Sequence, residues 1–134
     1  MSPKNIDEDK LIKYWSESSD EDYETMIIMF RNRRYNWSLF IGHLMIEKLL
    51  KALYVKTNND YPPYIHNLVS LVEKCGLEMT DDQKHFFASV TAFNINARYD
   101  DYKKSFYRKC TKEFTSKWVE QLKNYRLWIQ KQLQ

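Results

Sequence analysis

Apolar side chains recur every three to four residues along most of this chain, separated by short polar segments. Leu11, Ile12, Trp15, Tyr23, Met26, Ile27 and Phe30 fall largely on one helical face. They predict a first helix from about Asp7 to Arg33, with an irregularity around Ser18-Ser19. Trp37, Phe40, Ile41, Leu44, Met45, Leu49, Ala52 and Leu53 form a broader face and predict a second helix from about Tyr35 to Lys56. Gly42 lies inside it. Glycine costs a helix about 1 kcal/mol against alanine, so close packing against a neighbour is the expected compensation.

The run Asn58-Asn59-Asp60-Tyr61-Pro62-Pro63 stops the second helix, because consecutive prolines favour extended backbone. A short third helix is predicted over about Ile65 to Cys75, with Gly76 as its C-terminal cap. Thr80-Asp81-Asp82-Gln83 has the form of a capping box and opens a fourth helix. That helix carries Phe86, Phe87, Val90 and Phe93 and ends near Ala97. Residues 99 to 110 read as a polar, aromatic connection. Phe114, Trp118, Val119, Leu122, Tyr125, Trp128 and Ile129 predict a last helix from about Thr111 to Leu133. The expected fold is all-α: one domain over residues 1–134, an antiparallel up-and-down bundle of about five helices.

Composition supports this reading. The 134 residues hold only two glycines and three prolines, which leaves long segments uninterrupted. The net charge of +3 permits a nucleic-acid or nucleotide partner without demanding one. Acidic residues crowd the first 24 positions, and basic ones gather at 31 to 34 and 98 to 112. The pattern fits either solvated helix faces or a basic groove with an acidic side turned away. Cys75 and Cys110 have neither metal-motif nor disulfide-framework spacing, and reduced thiols of a cytoplasmic protein account for them. No signal peptide and no apolar run of membrane-spanning length is visible.

Candidate chemistry concentrates in Phe93-Asn94-Ile95-Asn96-Ala97-Arg98-Tyr99 and the run behind it, Tyr102, Lys103, Lys104, Tyr107, Arg108 and Lys109. Arg98 can contact phosphate through two parallel hydrogen bonds, or simply serve as the C-terminal cation of its helix. Asn94, one turn earlier, shares its face and suits either a ligand or an interhelical hydrogen bond. Tyr99, Tyr102 and Tyr107 can stack on bases or pack against the bundle. Glu47 and Lys51 stand in the favourable order for an i,i+4 ion pair; alternatively Glu47 orients Arg98 across the bundle. His43 and Glu47 share a face but lack a third metal ligand nearby, so no metal site is expected. His66 is read as helping to begin the third helix and His85 as lying on a solvated face. No Gly-rich phosphate loop, nucleophile elbow or paired-carboxylate site is apparent, and no cofactor is expected.

Several of these residues occur in an order that resembles the HEPN domain family of prokaryotes. Trp15 and an aromatic start at Tyr35 come first, and Ile46-Glu47-Lys48-Leu49-Leu50-Lys51-Ala52-Leu53 is then similar to the family's second-helix core in Glu47, Lys48, Lys51, Ala52 and Leu53. Pro62 and Pro63, then His66-Asn67-Leu68, match its Pro-rich turn and following H-x-L. Ala97-Arg98-Tyr99 matches its A-R-Y element. The resemblance implies a helical bundle that usually forms a homodimer, with Arg98 paired across one shared cleft. Many members are metal-independent RNases whose site is Arg, four to six residues, then His, often followed by x-Tyr. Here the three candidate His positions hold Lys103, Lys104 and Ser105, while the trailing tyrosine survives as Tyr107. Histidine alone titrates near neutral pH without perturbation, so Lys and Ser replace it poorly as proton shuttles.

The resemblance therefore implies an RNA- or nucleotide-binding module that lacks the usual catalytic His, with Asn94, Arg98, Tyr99, Lys103, Lys104 and Tyr107 at the site. It also implies a nucleotidyltransferase antitoxin as partner; in such pairs the motif's tyrosine can receive nucleotides. Two alternatives stand beside this expectation. One is an active RNase toxin using Arg98 with an unconventional proton-transfer group. The other is a structural module whose basic segment docks an acidic partner.

Overall fold

The computed structural model describes residues 6–134, and among them six helices and no strand occur. They are α1 (Glu8–Arg31), α2 (Tyr35–Asn58), α3 (Leu68–Lys74), α4 (Asp81–Arg98), α5 (Asp100–Lys109) and α6 (Lys112–Gln132). Among the described residues, no helix is long and apolar enough to cross a membrane.

Helices α1 and α2 form an antiparallel hairpin fixed by two buried serines. Ser19 of α1 donates to the carbonyl of Met45, and Ser38 of α2 donates to that of Met26, each at 2.8 Å. Moving two turns along α1, from 19 to 26, retraces two turns of α2, from 45 to 38. The irregularity expected at Ser18-Ser19 is absent: α1 runs unbroken, because the Ser19 hydroxyl finds its acceptor on the neighbouring helix. A turn with Arg33 at φ 61° joins the pair. Two acidic residues of α1 also bond outward, Asp22 to Lys48 at 2.8 Å and Asp20 to Arg126 at 3.0 Å.

Gly42 sits where α2 crosses α1 and α6. A Cβ there would stand 2.6 Å from Leu122 Cδ1 and 3.1 Å from Met26 Sδ, so the close approach predicted from sequence is present. The core includes Met26, Leu39, Ile46, Leu50, Leu71, Phe87 and Leu122, all fully buried. Helices α4 and α6 meet through rings. Phe86 stacks on Tyr125 with centroids 3.8 Å apart and planes 8° from parallel, while Phe93 meets Trp118 edge-on at 5.0 Å. Both cysteines lie in this interior, and burial raises each thiol to about 12, leaving it protonated at neutral pH.

Two further expectations are corrected. The third helix starts at Leu68 rather than near Ile65, because the Asn67 side chain caps it by accepting from Ser70 N–H at 3.0 Å. Its other end follows expectation: Gly76 has φ 76°, and Gly76 and Leu77 bond back to Glu73 and Val72. Residues 100–109 form a helix, α5, and not a connection, which makes six helices instead of five. Phe106 is the only buried side chain among its described residues, so no apolar stripe announces it in the sequence.

Candidate nucleic-acid interface

The capping box predicted at Thr80 is complete, with Thr80 and Gln83 each bonding the other's backbone N–H, and it starts α4. Eighteen residues later α4 ends at Arg98, whose side chain is exposed. Tyr99 serves at once as C-cap of α4 and N-cap of α5, with extended backbone at φ −95° and ψ 131°. The chain thus turns between the two helices at a single residue. Phe106 anchors α5 by packing on Phe93, with ring centroids 5.5 Å apart. Every other described side chain of α5 is exposed, including Tyr102, Lys103, Lys104, Tyr107, Arg108 and Lys109.

The predicted site residues separate into three places. Lys103, Lys104 and Tyr107 gather with Arg108, Ala97, Asn36 and Trp37 around an open cleft of about 420 Å³ between α5 and the start of α2. Arg98 and Tyr99 lie at the α4–α5 corner beside it, both exposed. Asn94 is 6% exposed and belongs to the bundle interior, one turn behind Arg98. Sequence reasoning missed Asn36 and Trp37 as cleft residues. Trp37 was assigned to the apolar face of α2, yet it stands 40% exposed at the first turn of that helix.

A second polar cluster lies where α2 meets the segment leading into α3. Glu47 is 5% exposed and uses both its oxygens: Oε2 pairs with Lys51 Nζ at 3.2 Å and Oε1 accepts from His66 Nδ1–H at 2.7 Å. The predicted Glu47–Lys51 pair is therefore present, and Lys51 also lies over the Trp15 ring at 5.1 Å. His43, fully buried, donates Nε2–H to the carbonyl of His66 at 3.1 Å. Its Nδ1 has no hydrogen-bond partner among the described residues. His66 does not help to begin α3; its side chain and carbonyl dock the preceding segment onto α2 instead. The contact spans 19 residues and leaves no local signal in the sequence. Leu68 N–H then donates to Thr91 Oγ1 at 3.0 Å, which ties α3 to α4 two turns before Arg98.

The Glu47 oxygens pair with Lys51 and His66, and the Arg98 charge acts on His43. Among the described residues no three His, Cys, Asp or Glu side chains are grouped to hold a metal ion.

The model of the HEPN domain family matches residues 12–132, nearly the whole chain. The chain belongs to the HEPN domain family. Neither the curated proteins nor the solved structures compared with it give a match. In this HEPN domain Lys103, Lys104 and Ser105 are exposed on α5.

The buried imidazole of the HEPN domain predicts a pH dependence. Burial pushes His43 below its ordinary value, opposed by its hydrogen bond to the His66 carbonyl and by the Glu47 charge, with the His66 and Arg98 charges adding slightly to the lowering. Folded His43 therefore takes up its proton at lower pH than an unfolded one, which does so as pH falls through about 6.5. The unfolded state binds more protons there, so this contribution to stability is present above that pH and is lost on acidification. Thermal melts between pH 7 and pH 5 are expected to fall more steeply for the native protein than for His43→Gln. The difference has a ceiling of about 1.4 kcal/mol per pH unit. Parallel curves would show that His43 does not titrate with unfolding.

Proposed function

We propose that this HEPN domain binds single-stranded RNA or a nucleotide, with Arg98 contacting phosphate. The observation that carries the reading is the α4–α5 corner. Arg98 ends one helix, and the next follows after one residue with its cations and tyrosines turned to solvent. Cations that track phosphate beside rings that accept bases are what sequence-tolerant binding of single strands requires.

The reading includes a homodimer in which Arg98 of each protomer faces one shared cleft. Ile95 and Tyr99, 44% and 57% exposed, flank Arg98 and give that contact an apolar border. It also includes a nucleotidyltransferase antitoxin as the partner. Support for dimer and partner comes from the habits of the family.

A titration of labelled single-stranded RNA in EDTA tests the assignment. Arg98→Ala is expected to weaken binding by roughly 10- to 100-fold, the worth of one charged hydrogen-bonding group. The slope of log affinity against log salt should become shallower by about 0.7. Equal affinities for both proteins would sink the reading. Sedimentation is expected to give a dimer; a monomer would remove the shared cleft.

A second reading, metal-independent RNA cleavage, is favoured by one observation. His66 places Nδ1–H on the buried Glu47 carboxylate at 2.7 Å, while its side chain is 58% exposed. That leaves Nε2 as the ring nitrogen available to take a proton, the arrangement proton transfer needs. The RNA is expected to remain intact. Cleavage lost in both Arg98→Ala and His66→Gln would move the assignment to this reading.

A further inference from the structure

The cleft between the first turn of α2 and α5 is chemically two-sided. Trp37 and Tyr107 supply aromatic surface, Lys103, Lys104 and Arg108 supply positive charge, and Asn36 supplies an amide. No acidic side chain lines it among the described residues. Its volume of about 420 Å³ falls within the range of small-ligand sites, about 300–1,000 Å³.

Trp37 is the most telling member. A fold that buries Phe86 and Phe87 almost completely leaves this larger ring 40% exposed. The edge-on contact with Phe40, at 5.8 Å and 87°, holds the indole in place without covering it. The remaining surface is a prepared apolar face beside cations. The N-cap of α2, Arg34, brings no side-chain acceptor to the first turn, where Asn36 and Trp37 lie. The N–H groups of that turn add a weaker attraction for anions in the same place.

We infer that this cleft is a mononucleotide subsite, in which Trp37 and Tyr107 take the base and Lys104 and Arg108 take its phosphate. The inference rests on the reading of the domain as a binder of RNA or nucleotide, but its residues are different from Arg98. Ala97, on the cleft wall, precedes Arg98 directly, and successive residues of α4 point about 100° apart. The subsite and Arg98 therefore adjoin without overlapping. An acidic peptide would satisfy the cations but leave both rings without a use. A nucleotide satisfies both halves, because each base has a π-face and each phosphate a negative charge.

The chemistry is shared by a free nucleotide and by one unit of an RNA strand, and two ligands separate them. AMP and a single-stranded oligoadenylate are titrated by calorimetry into the native protein, Trp37→Ala, Lys104→Glu, Arg108→Glu and Arg98→Ala. Lys104 and Arg108 are exposed, so their variants remain informative if Trp37→Ala fails to fold.

Trp37→Ala and each charge reversal are expected to weaken AMP about tenfold or more. The same pattern seen with the oligonucleotide alone supports a subsite that works only within a strand. Binding of either ligand that ignores Trp37, Lys104 and Arg108 overturns the subsite. If the oligonucleotide then still depends on Arg98, the proposed function stands without it. No binding of either ligand overturns both. Capture of polyglutamate, lost in the charge reversals, with no nucleotide bound, overturns the subsite in favour of an acidic protein partner.

Discussion

Glu47→Ala is expected to destabilise the domain by about 3–5 kcal/mol, or roughly 10–20 °C in melting temperature. The carboxylate is 5% exposed and answers two groups at once, the Lys51 ammonium at 3.2 Å and His66 Nδ1–H at 2.7 Å. Removing it leaves Lys51, itself 6% exposed, as a buried charge without its counter-ion. That desolvated charge, more than the lost attraction, is the source of the penalty. The distinction has a measurable consequence. Glu47→Ala with Lys51→Met should recover a large part of the loss, because the unpaired ammonium is then gone. Recovery will be incomplete, since the double variant also forfeits the Lys51–Trp15 contact and the tether to His66. Chemical unfolding of the two single variants and the double variant measures all of this. A loss below about 1 kcal/mol in Glu47→Ala would show that water reaches the pair and that it behaves as a surface ion pair.

Phe86→Ala is expected to cost a similar amount, about 3–5 kcal/mol, for a different reason. Phe86 is 2% exposed and lies parallel to Tyr125 at 3.8 Å, with Phe87 edge-on at 5.1 Å and Trp118 at 6.0 Å. Truncation opens a cavity between α4 and α6 whose rigid walls collapse poorly. Phe86→Leu should retain more than half of the stability, because most of the volume stays filled. Tyr107→Ala, on a ring 68% exposed, serves as the contrast and should stay within about 0.5 kcal/mol of native. Urea denaturation read by circular dichroism checks all three. Equal stabilities for Phe86→Ala and Tyr107→Ala would mean that the aromatic seam does not hold α4.

The long helices were readable because each carries an apolar stripe at the helical period. The cap at Gly76 and the box at Thr80 were readable because capping is local chemistry. Helix α5 was not, since one buried ring in ten residues leaves no period to detect. The Glu47–Lys51 pair was visible at its i,i+4 spacing, whereas Glu47–His66 is set by how the segment before α3 folds back on α2. Trp37 was misjudged for a related reason. Its spacing matches the buried positions of α2, but at the first turn it is left 40% open. Periodicity tells which way a side chain points. It does not tell whether a neighbour is present at that level of the bundle.

The joint at Tyr99 carries a consequence for how this surface can change over time. Loops usually diverge by gaining or losing residues, but here no loop exists to absorb such a change. One residue added or removed at the joint would swing α5 by about 100° about its axis. Phe106 would leave its seat on Phe93, and the whole cationic face would turn with it. The spacing between Arg98 and Lys103, Lys104 and Tyr107 is thus locked in phase as well as in length. Substitution in place is the route left open for retuning what this corner recognises.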